Sequence, residues 1–168
     1  MQRLDALELI ERNASDEIRA RAPSVLLDSW VQRYRFDHHI LRRYHIAARS
    51  GVEALAALAE ALTLREVKFA ATGLSAAWHY TAFADFRLNT FLVDQHPLEP
   101  EALGLRPVER GENVWLLVPQ DEGAFYGRAQ QGIWCAHPVQ VYLDLLSHPE
   151  RAIDAARELR HQWMTWRA

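Results

Sequence analysis

The stretch WCAHPVQVYLDLLSHPERAIDAARELRHQWMTWR, residues 134–167, indicates two consecutive helices with a break at residues 147–149. Pro138 suits the first position of a helix, where no backbone N–H is needed. Apolar residues then recur three or four apart, as in a helix packed on a core. In the first helix these are Val139, Tyr142, Leu143, Leu145 and Leu146; in the second they are Ile153, Ala156, Leu159, Trp163 and Trp166.

Upstream of this stretch, helical and strand patterns alternate. Further helices are predicted at residues 24–36, 51–62 and 74–83, and strands at residues 38–48, 67–71, 86–93 and 114–118, with a possible edge strand beginning at Val108. Ser50 followed by Glu53 forms a capping-box pattern. Residues 3–13 and 16–21 have a weaker helical pattern. We therefore predict an α/β (α+β) domain at residues 23–168, with a central mixed β-sheet flanked by helices, an N-terminal helical extension at residues 1–22, and two C-terminal helices.

The composition is that of an ordinary globular protein. The 168 residues are 49% hydrophobic and 24% charged, and the net charge of −3 argues against a strongly basic nucleic-acid binder. The N-terminus has no signal-peptide pattern, and no apolar run approaches the roughly 20 residues that span a bilayer. The protein is therefore expected in the cytoplasm.

Three motifs resemble those of a known family. They are an LL-x-x-W-x-x-x-Y helix, a TG-x-x-AA turn from strand to helix, and a P-V-Q-x-YLDL helix. Their residues here are Leu26, Leu27, Trp30 and Tyr34; Thr72, Gly73, Ala76 and Ala77; and Pro138, Val139, Gln140, Tyr142, Leu143, Asp144 and Leu145. From about residue 23 to residue 160 the sequence is similar to the C-terminal domain of AbiEi-family proteins. These are the antitoxin and transcriptional-repressor half of type IV abortive-infection toxin–antitoxin systems.

The resemblance implies a non-enzymatic antitoxin or regulator without a cofactor. Its implied partner is a nucleotidyltransferase-like toxin, the nucleic-acid target of that toxin, or a second copy of the chain. Family members begin with a winged helix-turn-helix, a module of roughly 60 residues or more. Only about 22 residues precede the similar region, so the chain is expected to lack this module, and operator binding is not carried over.

Two sets of exposed side chains are candidates for binding. The region between residues 19 and 49 is rich in arginine, and several arginines on one surface could bind phosphate groups. The candidates for nucleic-acid binding are Arg33, Arg35, Arg42, Arg43 and Arg49. Trp163 and Trp166, at the end of the last helix, are candidates for a protein interface, where aromatic residues are enriched.

Sequence patterns also raise three catalytic or metal-binding alternatives. His38, His39 and His45 could together hold zinc, but alternation along a strand separates them, which favours surface histidines. Glu66, Lys68 and Asp94 have the residue types of a nuclease core, which is the alternative function. Cys135 and His137 lie on one face of a strand, although an apolar neighbourhood favours a buried, inert thiol.

Asp144 lies within an apolar helix, one turn after Gln140. An unpaired buried carboxylate is costly, so this residue is expected to make a structural contact. Arg128 and Arg151 are the predicted partners.

Overall fold

The computed structural model describes residues 10–12, 16–83 and 85–166. In these residues a seven-stranded mixed sheet forms the centre of the domain, and its strand order is β6-β3-β7-β5-β4-β9-β8. Its strands are β3 (Ile40–Ile46), β4 (Phe69–Thr72), β5 (Asn89–Val93), β6 (Leu105–Pro107), β7 (Val114–Val118), β8 (Gly127–Gln130) and β9 (Ile133–Ala136). A separate antiparallel hairpin joins β1 (Ile10–Arg12) to β2 (Ile18–Ala20).

The sheet is flanked by helices. The α-helices of the described residues are α1 (Pro23–Val31), α2 (Gly51–Leu64), α3 (Gly73–Thr81), α4 (Pro138–Leu145) and α5 (Ala152–Trp163). Short 3-10 helices cover Phe36–His38, Pro100–Leu103 and Glu122–Phe125. Helices α3, α4 and α5 pack against one another, and α2 contacts β5. The predicted fold class is therefore confirmed.

Local sequence signals explain where several elements begin. Ser50 Oγ accepts a hydrogen bond from the Glu53 N–H at 3.1 Å, and the Glu53 carboxylate accepts one from the Arg49 N–H at 2.8 Å. The first bond satisfies a donor that a helix start leaves without a partner, and the second fixes the residue before the cap. Pro138 is the first residue of α4, and the side chain of His137 caps that helix. The apolar run of β7 lies inside the sheet, between β3 and β5, where both faces are covered.

Strand pairing places three polar or aromatic residues side by side on one face of the sheet. Thr72 of β4 lies opposite Thr90 of β5, and Thr90 lies opposite Trp115 of β7. At the end of β3, the side-chain amide of Asn113 bonds both the N–H and the C=O of Ile46, each at 2.8 Å. The Asn113 side chain thus bonds the Ile46 backbone as a neighbouring strand residue would.

Several predicted boundaries differ from the structure. Residues 10–12 and 18–20 are strands, although helical turns were predicted; residues 3–9 and 13–15 lie outside the described residues. The strand predicted from residue 86 begins at Asn89, and the edge strand β6 ends before Val108. Ile153 is 45% exposed, because Ala152, Ala155, Ala156 and Leu159 form the buried face of α5 instead.

Candidate functional site

A buried carboxylate lies where the segment after α1, the β4–α3 turn and α4 meet. Asp144 is fully buried, and its two carboxylate oxygens accept hydrogen bonds from the Tyr34 and Thr72 hydroxyls. Gln140, one turn earlier on α4, donates to Asp144 Oδ1 at 3.0 Å and to the hydroxyl oxygen of Tyr34 at 2.9 Å. We call these residues, together with His39, the Asp144 network.

His39 completes the network from the turn that follows α1. Its Nε2 lies 2.6 Å from the Tyr34 oxygen and 3.7 Å from Asp144 Oδ1, and its side chain is 8% exposed. Because Tyr34 gives its only proton to Asp144, His39 must donate from Nε2. The expectation of a surface histidine is wrong for His39, because the 3-10 helix Phe36–His38 turns it inward before β3 begins.

Burial and the neighbouring Asp144 carboxylate raise the pKa of Tyr34. The phenol therefore stays protonated near neutral pH and remains a donor to the carboxylate. A deprotonated Tyr34 would place a second negative charge beside Asp144, which the protein interior disfavours strongly. The network is accordingly a set of donors around the Asp144 carboxylate, with the Tyr34 oxygen as a second acceptor.

A second buried contact lies next to the network on the same face of the sheet. His148 Nε2 is 2.6 Å from Thr90 Oγ1, and the His148 ring packs against Trp115 with centroids 5.0 Å apart. Burial lowers the pKa of His148 to about 4, so the imidazole is neutral near pH 7. Gly73 has a φ of +58°, and a Cβ there would lie 2.7 Å from His148 Nε2. Only glycine fits this turn without strain.

The three sequence motifs meet in this region. Tyr34 comes from the first motif, Thr72 from the second, and Gln140 and Asp144 from the third. Each motif supplies a polar side chain to one hydrogen-bonded group in the domain interior. This arrangement can hold α1, β4 and α4 in fixed relative positions.

The expected buried contact of Asp144 is confirmed, but its predicted partners are wrong. Arg128 lies on the edge strand β8, with its guanidinium 4.4 Å from the Trp163 ring centroid. Arg151 lies 3.8 Å from Asp154 and 5.7 Å from the Phe83 ring centroid. Neutral hydroxyl and amide donors therefore take the place of the predicted arginine.

The structure distributes the five candidate arginines over several elements. Arg42 and Arg43 are both exposed but project to opposite faces of β3, and Arg43 pairs with Glu112 at 3.4 Å. Arg35 donates to the backbone oxygens of Tyr34 and Gln32. Arg33 is exposed after α1, and Arg49 lies at the start of α2. Their role in nucleic-acid binding stays a prediction.

The two candidate tryptophans differ in their surroundings. Trp163 is half-buried. Its Nε1 donates to the backbone oxygen of Tyr80 at 3.0 Å, and the two rings pack edge to face with centroids 5.0 Å apart. Trp166 is 36% exposed beyond the end of α5. Trp166 is therefore the more accessible of the two.

Two of the three residues of the nuclease alternative, Lys68 and Asp94, lie near each other. The Asp94 N–H donates to the Lys68 oxygen at 3.2 Å, which places these two residues at adjacent strand ends. The Lys68 ammonium, however, is bonded to Glu122 and lies 4.6 Å from the Phe125 ring centroid. In the described part of the chain, no group of three or more histidine, cysteine or acidic residues is placed to hold a metal ion.

The remaining histidines and the cysteine have separate environments. His38 is exposed, and His45 Nδ1 lies 3.0 Å from the Gly111 oxygen. Cys135 is fully buried, and burial raises the pKa of its thiol to about 12. The nucleophilic thiolate is therefore scarce near neutral pH, in agreement with the expectation of an inert cysteine.

Across the described residues, none of the helices has the length and apolar character needed to span a membrane.

A protein-family model described as "Transcriptional regulator, AbiEi antitoxin, Type IV TA system" matches residues 19–165. No curated protein and no solved structure gives a significant match. The match covers most of the chain, including all three motifs that meet around Asp144, and the protein therefore belongs to the AbiEi antitoxin family of type IV toxin–antitoxin transcriptional regulators.

Proposed function

We propose that this domain is a non-enzymatic antitoxin that counteracts a nucleotidyltransferase-like toxin by binding, and that it acts in the cytoplasm. The observation that carries the proposal is the arrangement around Asp144. The polar side chains of the three motifs hydrogen-bond one another inside the domain. Such a group stabilises a scaffold that presents a binding surface.

The proposed contact surface for the toxin is the end of α5. Trp166 is exposed there, and Arg128 lies over the adjacent Trp163 ring. Tryptophan and arginine are the residue types that contribute most to protein interfaces. A second copy of the chain is the other protein partner that this surface could bind.

The test is co-expression with an inducible nucleotidyltransferase-like toxin encoded beside the gene. We expect the unmodified chain to restore growth and Trp166→Ala to lose most of that effect. Trp134→Ala is a matched control, because Trp134 is 43% exposed on β9. It projects to the face of the sheet opposite to that of Cys135 and its partner Arg128, which contacts Trp163. Expression and thermal unfolding of each variant are measured in parallel.

Failure of the unmodified, folded chain to restore growth would overturn the proposed function. Equal loss of protection in both tryptophan variants, with both proteins folded, would reject the α5 surface.

The toxin's nucleic-acid target is the other proposed partner, through Arg33, Arg35, Arg42, Arg43 and Arg49. Titration with RNA and DNA at two salt concentrations tests it, since phosphate contacts weaken steeply with added salt.

A further inference from the structure

The outer edge of β3 is only partly covered by its neighbour β6. In the described residues, β6 pairs with Tyr44–Ile46 alone. A further backbone bond, from the Val108 N–H to the Arg43 oxygen at 3.4 Å, extends the ladder by one position. The first residues of β3 therefore have no strand beside them on that edge.

The hydrogen-bonding pattern identifies the open backbone position. In an antiparallel strand, the backbone N–H and C=O groups of successive residues point alternately to the two neighbouring strands. The Arg43 oxygen points to the β6 side, so the N–H and C=O of Leu41, two residues earlier, point there too. An extended peptide placed beside Leu41 could use both groups, as in strand addition to a sheet edge.

A groove of about 470 Å³ lies beside this edge. Its apolar lining comes from Pro97, Leu98, Pro100, Pro107 and Val108. The Leu98 side chain is 99% exposed. The groove therefore offers apolar contacts for the side chains of a peptide, and its lining begins at Arg42, the residue that follows Leu41.

The groove lining contains two arginines and one glutamate, a net charge of +1, although the whole chain carries −3. Arg42 and Arg43 line the groove together with Glu109. Arg43 is paired with Glu112, whereas Arg42 makes no ion pair among the residues that the structure describes. An acidic side chain on a bound peptide would therefore find a free guanidinium.

We propose that this groove binds an extended, acidic peptide segment of a partner protein, which adds a short strand beside Leu41. A second copy of the chain fits poorly, since pairing two β3 strands would bring two sets of arginines together. Nucleic acid also fits poorly, because Arg42 and Arg43 project to opposite faces and the lining between them is apolar. The proposal does not depend on whether the partner is the toxin.

The experiment uses the full chain, labelled with ¹⁵N, and a short peptide of alternating valine and glutamate residues. We expect amide shifts concentrated around Leu41, Leu98 and Val108, and weaker binding as salt is added. Arg42→Glu should weaken binding by about tenfold, as loss of a charge-assisted contact does. A peptide methylated on alternate backbone nitrogens keeps its charges but should bind much more weakly.

Arg157→Glu is the matched control, since it makes the same charge change at an exposed position on α5, outside the residues that line the groove. It should leave peptide binding unchanged, and both variants are checked for folding by thermal unfolding. The proposal is overturned if the peptide causes no shifts near Leu41, if a valine–lysine peptide binds equally well, or if Arg157→Glu weakens binding as much as Arg42→Glu. Stronger binding of single-stranded DNA or RNA at the same residues would also overturn it.

Discussion

The Asp144 network and the β3 groove use polar side chains in opposite ways. In the network, donors from three distant segments surround one fully buried carboxylate. In the groove, Arg42 is exposed and has no ion pair within the described residues. The buried Asp144 oxygens are matched by donors because an unmatched buried carboxylate is costly, whereas an exposed guanidinium remains solvated. The first region therefore fixes the fold, and the second is available for a partner.

The largest expected effect comes from removing the carboxylate. Asp144→Ala leaves the buried Thr72 donor and the half-buried Tyr34 and Gln140 donors without their acceptor. It should lower the free energy of unfolding by about 4 kcal/mol. Asp144→Asn keeps one acceptor oxygen and should lose clearly less. Urea unfolding measures both; equal, small losses would show that the network contributes little to stability.

His148 provides a pH test of the same interior. The unfolded imidazole titrates near 6.5, and the folded one near 4. Between these values the unfolded state binds the proton, so stability should fall as the pH falls from 6.5 to 4, by about 3 kcal/mol in total. His148→Gln should flatten this part of the curve, and an unchanged slope would contradict the assignment.

Gly73 tests how closely the turn between β4 and α3 is fitted to His148. Gly73→Ala introduces a Cβ at a positive φ and 2.7 Å from the imidazole. We expect a loss of about 2 kcal/mol, from backbone strain and displacement of the ring. Thermal unfolding measures it, with Gly111→Ala as the control: Gly111 has a similar φ of +75°, but a Cβ there would meet no atom within 4 Å. Equal losses would mean that His148 adds nothing beyond the backbone strain.

The smallest effect is expected at the groove. Arg43→Ala removes an exposed ion pair with Glu112 and should change stability by no more than about 0.5 kcal/mol. Chemical unfolding provides the measurement. A loss as large as that of Gly73→Ala would mean that the arginine is part of the scaffold.

The sequence predicts those features that depend on neighbouring residues. The Ser50–Glu53 capping pattern, Pro138 at the start of α4 and the apolar strand β7 were all predicted correctly, because each is determined within a few positions. The structural role of Asp144 could also be predicted, since a carboxylate in an apolar helix needs partners.

The identity of those partners could not be predicted. Tyr34 and Asp144 are 110 residues apart in the chain, and Thr72 and Asp144 are 72 residues apart. Periodicity contains no information about such distant pairs, and an arginine is the usual expectation for a buried carboxylate. His39 was missed for a similar reason, because the strand pattern was continued through a 3-10 turn. The signal that could have found the network is the presence of a few polar residues inside each apolar motif.

The long separation between Tyr34 and Asp144 has a consequence for synthesis on the ribosome. Chains grow from the N-terminus, so Tyr34 and Thr72 are made well before the carboxylate that their hydroxyls require. Until residue 144 has left the exit tunnel, these hydroxyls have only water or transient contacts to satisfy them. A nascent chain that stalls before α4 thus differs chemically from a finished one, and proteases or chaperones that recognise loose structure can distinguish the two.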